Sequence, residues 1–408
     1  MAVEIWGQSF LHAIGNFFLN PLLYYGLLCV VCIAMVRIKK ERKQFSVKIY
    51  DISLEFEMVF KQGLILGLML SVLTLFLGLT VSSSFALFLS IGFFLLSLTR
   101  YLQMLTPFYI LSVSIWVGLS LYFLKDFLPQ FLQVPLLSGK DFVNILPLLA
   151  ILLFAEGFLV GRYGGKKTSP DYKKSHRGGR VGVHISRKLW ILPLFLLVPS
   201  GDITSSFSWW PIMHTDVTNF SLVLLPIPIG YKMVAKGMYP EDLAVQYAKR
   251  VYIVAWLAVL GSVITYFYSF YEFIFIGIVG LAYVYLTIQL HYKNGKQRHI
   301  FSQENGGIKV LDILSHTPAD LMGIEKGEMI VKANGEKVET MDELYDVLSR
   351  NRAYVKLEVR DRMNEIRHVH CSFHEGDHHE LGIIAVKGKS KYEGLQSEIS
   401  HVEVVERM

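Results

Sequence analysis

Cysteine is scarce in this sequence. There are three among 408 residues, and two of them, Cys29 and Cys32, lie inside an apolar run, which excludes a disulfide-stapled secreted fold. The Cys29-x-x-Cys32 spacing matches a redox or metal motif. No His, further Cys or polar side chain stands beside it, so the pair reads as two small apolar helix residues. Charge is scarce as well: 18% of positions are Asp, Glu, Lys or Arg, against roughly 25% in an ordinary soluble domain. With 52% hydrophobic residues, that excludes a disordered chain and argues against a purely soluble one. A net charge of +6 is too small for a dedicated nucleic-acid binder unless the basic residues are gathered in one place. No G-x-S-x-G nucleophile elbow is present. No H-E-x-x-H falls in the apolar segments, so a zinc-dependent intramembrane peptidase lacks its ligands and its base there.

What the sequence has in quantity is long apolar runs. A bilayer core about 30 Å thick needs about 20 apolar residues in a helix rising about 1.5 Å per residue. Runs at 17–36, 64–82, 85–99, 104–124, 142–160, 251–269 and 273–290 are the candidates. A further apolar stretch, 189–231, is broken at Pro199-Ser200-Gly201-Asp202 and again from Trp209-Trp210-Pro211 to Asp216. It reads as two short spans or a re-entrant pair, and either returns the chain to the side it left. The expectation is an α-helical polytopic membrane domain of about 7–9 spans over residues 1–290.

Charge is unevenly distributed between two parts of the chain. Residues 1–290 hold 23 basic and 14 acidic positions, and the remainder 17 and 20. Cytoplasmic loops carry the excess Lys and Arg of a membrane protein. Residues 37–63 hold seven basic positions, beginning Arg37-Ile38-Lys39-Lys40-Glu41-Arg42-Lys43, residues 161–188 hold nine, residues 232–250 hold four, and Arg100 follows the third span. The alternate loops, 125–141 and about 200–217, hold only Lys125 and Lys140, so 21 of 23 fall on one side. This predicts an external N-terminus and a cytoplasmic segment 291–408. No Lys or Arg occurs in the first 36 residues, which argues against a cleaved signal peptide and for an anchoring first span.

Ionisable residues inside a bilayer are costly, and Glu156 is the strong case. It adjoins Gly157-Phe158-Leu159-Val160-Gly161, a small-x-x-x-small spacing that lets helices approach; Gly63 and Gly67 repeat the spacing. Glu156 reads either as a proton or cation site or as a structural acid at a span end. The Gly-rich basic loop 161–188 reads either as an attraction for anionic lipid headgroups or as a topology signal alone.

From about residue 300 the pattern changes to short strands, turn dipeptides and one amphipathic helix, a small α+β domain at 307–386 after a linker at 291–306. Residues 307–313 and 326–333 read as strands, the second closed by Asn334-Gly335, whose residues both tolerate the positive φ of a type I′ turn. Thr340-Met341-Asp342-Glu343 is a capping box, and its helix carries Met341, Leu344, Val347 and Leu348 on one face. Strands at 353–360 and 365–373 follow, then a polar tail at 387–408. His368, His370, His374, His378 and His379 surround Cys371. Alternation sends Val369, Cys371 and Phe373 inward and leaves the histidines on a solvated face and turn, so no metal site is expected.

The string Thr317-Pro318-Ala319, Gly323-Ile324, Lys326-Gly327-Glu328-Met329-Ile330, Asn334-Gly335 and Val338 before a capped helix resembles the bacterial type of PDZ domain. The usual form has Ser-Pro-Ala, Ala-Gly-Leu and Gly-Asp at these places, from which Thr317, Met322 and Glu328 depart conservatively. The resemblance implies that an extended peptide is taken as an added strand, its carboxylate received by a loop of backbone N–H groups. Leu381-Gly382-Ile383-Ile384 is the candidate loop and strand, with Leu344 and Leu348 on the opposite wall. His299-Ile300-Phe301 competes for the strand, and a groove packed against the chain's own membrane part is the alternative.

The whole chain, with its external N-terminus, its first span followed by a basic segment, further spans and one C-terminal PDZ, resembles the membrane adaptors of the Min division-site system in Gram-positive rods. That resemblance implies a protein without catalytic residues or cofactor that links the polar, curvature-associated DivIVA to the division inhibitor MinD, at septum and poles of the plasma membrane. Membrane lipid and a second copy of the chain are further expected partners, and nucleic acid is not. The residues themselves leave open a transporter or channel with a regulatory PDZ domain, or an intramembrane enzyme around Glu156.

Overall fold

The computed structural model describes residues 2–99, 101–124, 144–174, 180–204, 210–212, 219–303, 306–350, 354–372 and 381–386. The expected loop at 125–141 and the tail at 387–408 lie outside them. Among the described residues, five helices are long and apolar enough to cross a membrane: Pro21–Phe45, Ser53–Leu77, Ile145–Gly164, Pro240–Phe267 and Glu272–Lys296. Ser83–Leu98 and Pro107–Phe123 are apolar but shorter. These seven carry the seven apolar runs expected from the sequence. We label the helices α1 (Ala2–Leu19), α2 (Pro21–Phe45), α3 (Ser53–Glu57), α4 (Leu64–Leu77), α5 (Ser83–Leu98), α6 (Pro107–Leu124), α7 (Ile145–Leu159), α8 (Pro240–Phe267) and α9 (Glu272–Lys296). A π-helical turn, Met58–Gly63, joins α3 to α4.

Local chemistry sets the helix ends. Asn20 caps α2, its side chain accepting from Leu22 N–H ahead of Pro21 at the first turn, and Ser46 closes the helix with φ 63°. Arg37 to Lys43 therefore continue the first spanning helix instead of forming a loop. α1 is a helix where the sequence suggested only a short N-terminus. Its Trp6, Ala13, Ile14 and Phe17 pack on Phe195, Leu197, Phe220 and Leu222.

The stretch 189–231 is neither a pair of short helical spans nor a re-entrant helix pair. It is a long antiparallel ribbon, β2 (Arg180–Thr204) with β3 (Asn219–Ala235), to which β1 (Ser169–Lys174) adds a third strand at one end. Two properties favour strands. Pro193, Pro199, Pro226 and Pro228 would each break a helix, and the ten apolar residues Leu189 to Val198 extend about 33 Å as a strand, enough to cross the hydrocarbon. The ribbon still turns the chain back, as the sequence required.

An open ribbon in lipid must satisfy the polar groups on both edges. The register pairs Leu189 with Gly230 through to Val198 with Ser221, and along β2 the odd-numbered residues turn their backbone groups outward. There α4 receives them: Phe195 N–H donates to Ser71 Oγ at 2.9 Å, and Thr74 Oγ1 donates to Phe195 O at 2.6 Å. Beyond the helix, Leu197 N–H donates to Leu79 O at 3.0 Å and Val81 N–H to Leu197 O at 2.7 Å. On β3, Gly230 N–H points outward to Leu105 O at 2.7 Å, so Pro226 and Pro228 share its outward parity. Pro193 shares that of Phe195. All three prolines thus stand where an N–H would face away from the ribbon, and they remove the donor. Trp190 Nε1 donates to Gln62 on the π turn at 2.8 Å.

Gly63 and Gly67 make the helix-on-strand contact. A Cβ on Gly63 would lie 2.5 Å from Ile191 O, and one on Gly67 2.6 Å from the Pro193 ring. The second small-x-x-x-small pair does bring helices together, with Gly157 against the Tyr252 ring and Gly161 against Ala248.

The C-terminal module has a sheet of order β8-β7-β5-β4-β9, with β6 on β5, built from β4 (Ile308–Ile313), β5 (Met329–Ala333), β6 (Glu336–Lys337), β7 (Tyr354–Arg360), β8 (Ile366–Ser372) and β9 (Ile383–Ala385). Helices α10 (Pro318–Leu321) and α11 (Met341–Arg350) cover it. Asn334 and Gly335 have φ of 48° and 90°, as the type I′ reading requires. Thr340 Oγ1 accepts from Glu343 N–H at 3.2 Å, while Glu343 reaches back to Glu339 N–H. Val355, Leu357 and Val359 point into the core.

Candidate functional site

The candidate site lies between β9 and α11, where the facing side chains share one buried cluster. Gly382, φ 80°, turns the chain into β9, and a Cβ there would lie 2.2 Å from the Thr317 hydroxyl. Only glycine fits. The turn is tied to the Thr317-Pro318-Ala319 segment, with Leu314 N–H donating to Gly382 O at 2.9 Å and Ala319 N–H to Leu381 O at 3.0 Å. Leu344 and Leu348 meet Leu381 and Ile383 in one buried cluster. Five of the six residues singled out from the sequence therefore converge.

Ile384 does not join them. It faces the opposite way, into a cluster with Ile49, Phe301, Leu311 and Val386. Adjacent residues of a strand point to opposite faces, so Ile383 and Ile384 cannot line one groove together. His299-Ile300-Phe301, the competing strand, is part of the same seam: Ile300 N–H donates to Lys236 O, and Gly182 N–H to Phe301 O. It is not a strand of the PDZ sheet.

β9 lies at the edge of its sheet. Gly382 O and Val386 N–H are engaged with β4, so alternation turns the backbone groups of Ile383 and Ala385 to the outer edge, where an added peptide strand would pair. Tyr172 of β1 already donates its hydroxyl to Ala385 O at 2.7 Å. All four residues Ile383 to Val386 are buried, so the edge is covered in this conformation.

The module is fastened to the membrane part through polar contacts. The His184 ring, 0% exposed, spans Thr168 Oγ1 at 3.0 Å and Leu311 O at 2.8 Å. It lies five residues outside the apolar run. Burial, helped by Lys326, holds it neutral and pushes its pKa down to about 4. Asp312, which follows Leu311 in the sequence, is also buried, with Oδ1 accepting from Ile313 N–H and Oδ2 without a partner among the described residues. Burial raises this carboxyl to about 7. Lys326 pairs with Glu241 at 2.6 Å, and Arg362 stacks over the Tyr239 ring.

Other residues marked in the sequence have different settings. Glu156 is fully buried inside the helical part; its Oε1 accepts from Tyr247 OH at 2.6 Å and Tyr283 OH at 2.9 Å. His368 and His370 are exposed on β8. The string His374-Glu375-Gly376-Asp377-His378 spells H-E-x-x-H with Gly-Asp at its centre and lies outside the described residues. Tyr172, Thr317 and His184 went unread as site residues in the sequence. Thr317 alone carried a signal, its place in the Thr-Pro-Ala turn.

A family model described as a PDZ domain matches residues 309–361. The Cell division topological determinant MinJ of Bacillus subtilis (strain 168) is 33% identical over 411 residues, covering 97% of this chain and 100% of the relative. Two proteins named Probable cell division topological determinant MinJ, from Lacticaseibacillus paracasei and Lacticaseibacillus casei (strain BD-II), are each 24% identical over 380 residues, covering 90% of this chain and 96% of the relative.

Proposed function

The chain belongs to the MinJ family of cell division topological determinants, and from that premise we propose that it is a non-catalytic membrane scaffold presenting its PDZ domain to the cytosol, where it links DivIVA to MinD and so places the septum. The observation that carries this reading is the full-length match, which takes in the membrane part and the PDZ domain together. The division role comes from the relatives' names. The pairing of DivIVA with MinD rests on the resemblance to Min-system adaptors.

The proposed sidedness rests on charge. With 21 of 23 basic residues of the first part on one side, that side faces the cytosol, and the PDZ domain packs against the same basic end of the ribbon, Leu311 meeting both the His184 ring and Gly182. We read residues 1–290 as the membrane domain, 291–306 as the connection, 307–386 as the PDZ domain and 387–408 as a tail. α9 runs on to Lys296, so the connection begins as a continuation of that helix. A reporter active only in the cytosol, fused after residue 170 or after residue 300, is expected to be active at both places.

The groove of Leu381, Gly382, Ile383, Leu344 and Leu348 is the proposed peptide site. Recovery of cytosolic partners by the full chain, by a chain lacking 307–386 and by Gly382→Val tests it. Loss in both altered chains is expected, and unchanged recovery after the deletion counts against the PDZ domain as the contact surface.

A further inference from the structure

A cluster of cations lies where the ribbon leaves the apolar zone. Register places it: Arg187 stands directly opposite Lys232, Lys173 opposite Val181, and Asp171 opposite Val183. Lys236 directly follows Ala235, the last residue of β3, which pairs with His184. Alternate residues share a face, so Lys173, Arg187 and Lys232 stand on one face of the β1-β2-β3 sheet, and Lys236, just past the end of β3, is near enough to act on Lys173. Lys40 reaches the same face from α2 through its ion pair with Asp171.

Like charges directly opposite on neighbouring strands destabilise a sheet; burial holds Arg187 below the usual arginine range although Asp171 and Glu41 nearby favour its charge, and both acids are held by other partners. Asp171 is engaged by Lys40, Gln44 and its own following N–H, and nearby Glu41 by Arg37. Among the described residues, the side chains of Lys173, Arg187, Lys232 and Lys236 make no hydrogen bond or ion pair. Each is half-buried. Burial and then Lys236 hold the Lys173 amine below the usual lysine range, and Lys232 feels both Arg187 and Lys40.

The depth of the cluster points to its ligand. Arg187 lies two residues before Leu189, where the apolar run begins, and Lys232 directly follows Tyr231, where the partner run ends. Both therefore sit at the headgroup layer, where long basic side chains lay their stems on apolar surface and hold the charge in the interface. We propose that this face binds the phosphate of an anionic phospholipid, seated between Arg187 and Lys232, with Lys173, Lys236 and Lys40 continuing the positive field away from the bilayer. The assignment does not depend on the division role.

Native mass spectrometry of the detergent-purified full chain, with equal phosphatidylglycerol and phosphatidylcholine, tests it. The chain is expected to retain phosphatidylglycerol preferentially. Arg187→Gln with Lys232→Gln should weaken retention by about five-fold per charge, roughly thirty-fold for the pair. Arg187→Lys with Lys232→Arg should keep it, which separates lost charge from lost fold, and Lys293→Gln at the end of α9 should change little. Equal retention by the double Gln variant and the parent overturns the proposal. So does a loss of the same size in Lys293→Gln, which would mean diffuse surface charge. Displacement of the lipid by equimolar inorganic phosphate would identify a free anion as the ligand, and loss of an acidic protein with lipid retention intact would identify a protein surface; either result overturns it.

Discussion

Ser71→Ala combined with Thr74→Val removes both groups with which α4 holds the ribbon edge. Phe195 N–H, now donating to Ser71 Oγ at 2.9 Å, and Phe195 O, now accepting from Thr74 at 2.6 Å, would be left without partners. Both hydroxyls are buried, and water does not reach the hydrocarbon to replace them. An orphaned buried donor costs about 1–3 kcal/mol and a lost hydrogen bond about 1 kcal/mol, with values inside membranes at the lower end, so the pair should cost about 2–4 kcal/mol. Unfolding by SDS titration in mixed micelles, followed by tryptophan fluorescence, measures it. Trp190 is fully buried on the ribbon itself and reports the event. Ser90→Ala is the internal control, because that hydroxyl donates only to Ala86 O within its own helix, and it should cost less than about 0.5 kcal/mol. Equal stability of the double variant and the parent would refute the claim that side chains of α4 satisfy an otherwise open strand edge.

Gly382→Val puts a branched Cβ at φ 80° and against Thr317; a loss of at least about 2 kcal/mol is expected, and an unchanged melting temperature contradicts the loop geometry. Asp312 is neutral when buried, with its pKa raised to about 7 from the ordinary carboxylate value near 4. Stability should therefore fall as pH rises from about 4 to about 7, where the unfolded chain ionises first, and level off above; Asp312→Asn should remove that fall in thermal melts of the full chain. His184 acts in the opposite sense. Its folded pKa of about 4 is depressed below the ordinary 6.5, so its contribution is intact above about pH 6.5 and is lost as pH falls toward 4, a loss that His184→Gln should abolish. Glu156→Gln keeps an acceptor for Tyr247 and Tyr283 and should leave septum placement intact, whereas Glu156→Leu removes the acceptor shared by both hydroxyls, which keep their mutual bond at 2.9 Å, and should cost about 1–3 kcal/mol. Failed septum placement in a well-folded Gln variant would instead favour chemistry at Glu156.

The seven apolar helices were legible because a bilayer asks only for length and apolarity, and both are visible in the sequence. The ribbon was not, because a continuously apolar segment has no period to tell strand from helix. Its proline spacing was the available signal: Pro226-x-Pro228 keeps both rings on one edge of a strand, whereas in a helix it would be two breaks. The PDZ sheet was legible at its punctuated places, the Asn334-Gly335 turn and the Thr340 cap. Ile384 was misplaced by grouping four consecutive residues as one site although strand parity forbids it. Tyr172 and His184 were out of reach, since their partners Ala385 and Leu311 lie 213 and 127 positions away and no local pattern joins them.

The division-site role is tested most directly by following a fluorescent fusion of the full chain through the division cycle. The account predicts enrichment at the septum and then at the new poles. Uniform signal around the membrane at every stage would contradict it.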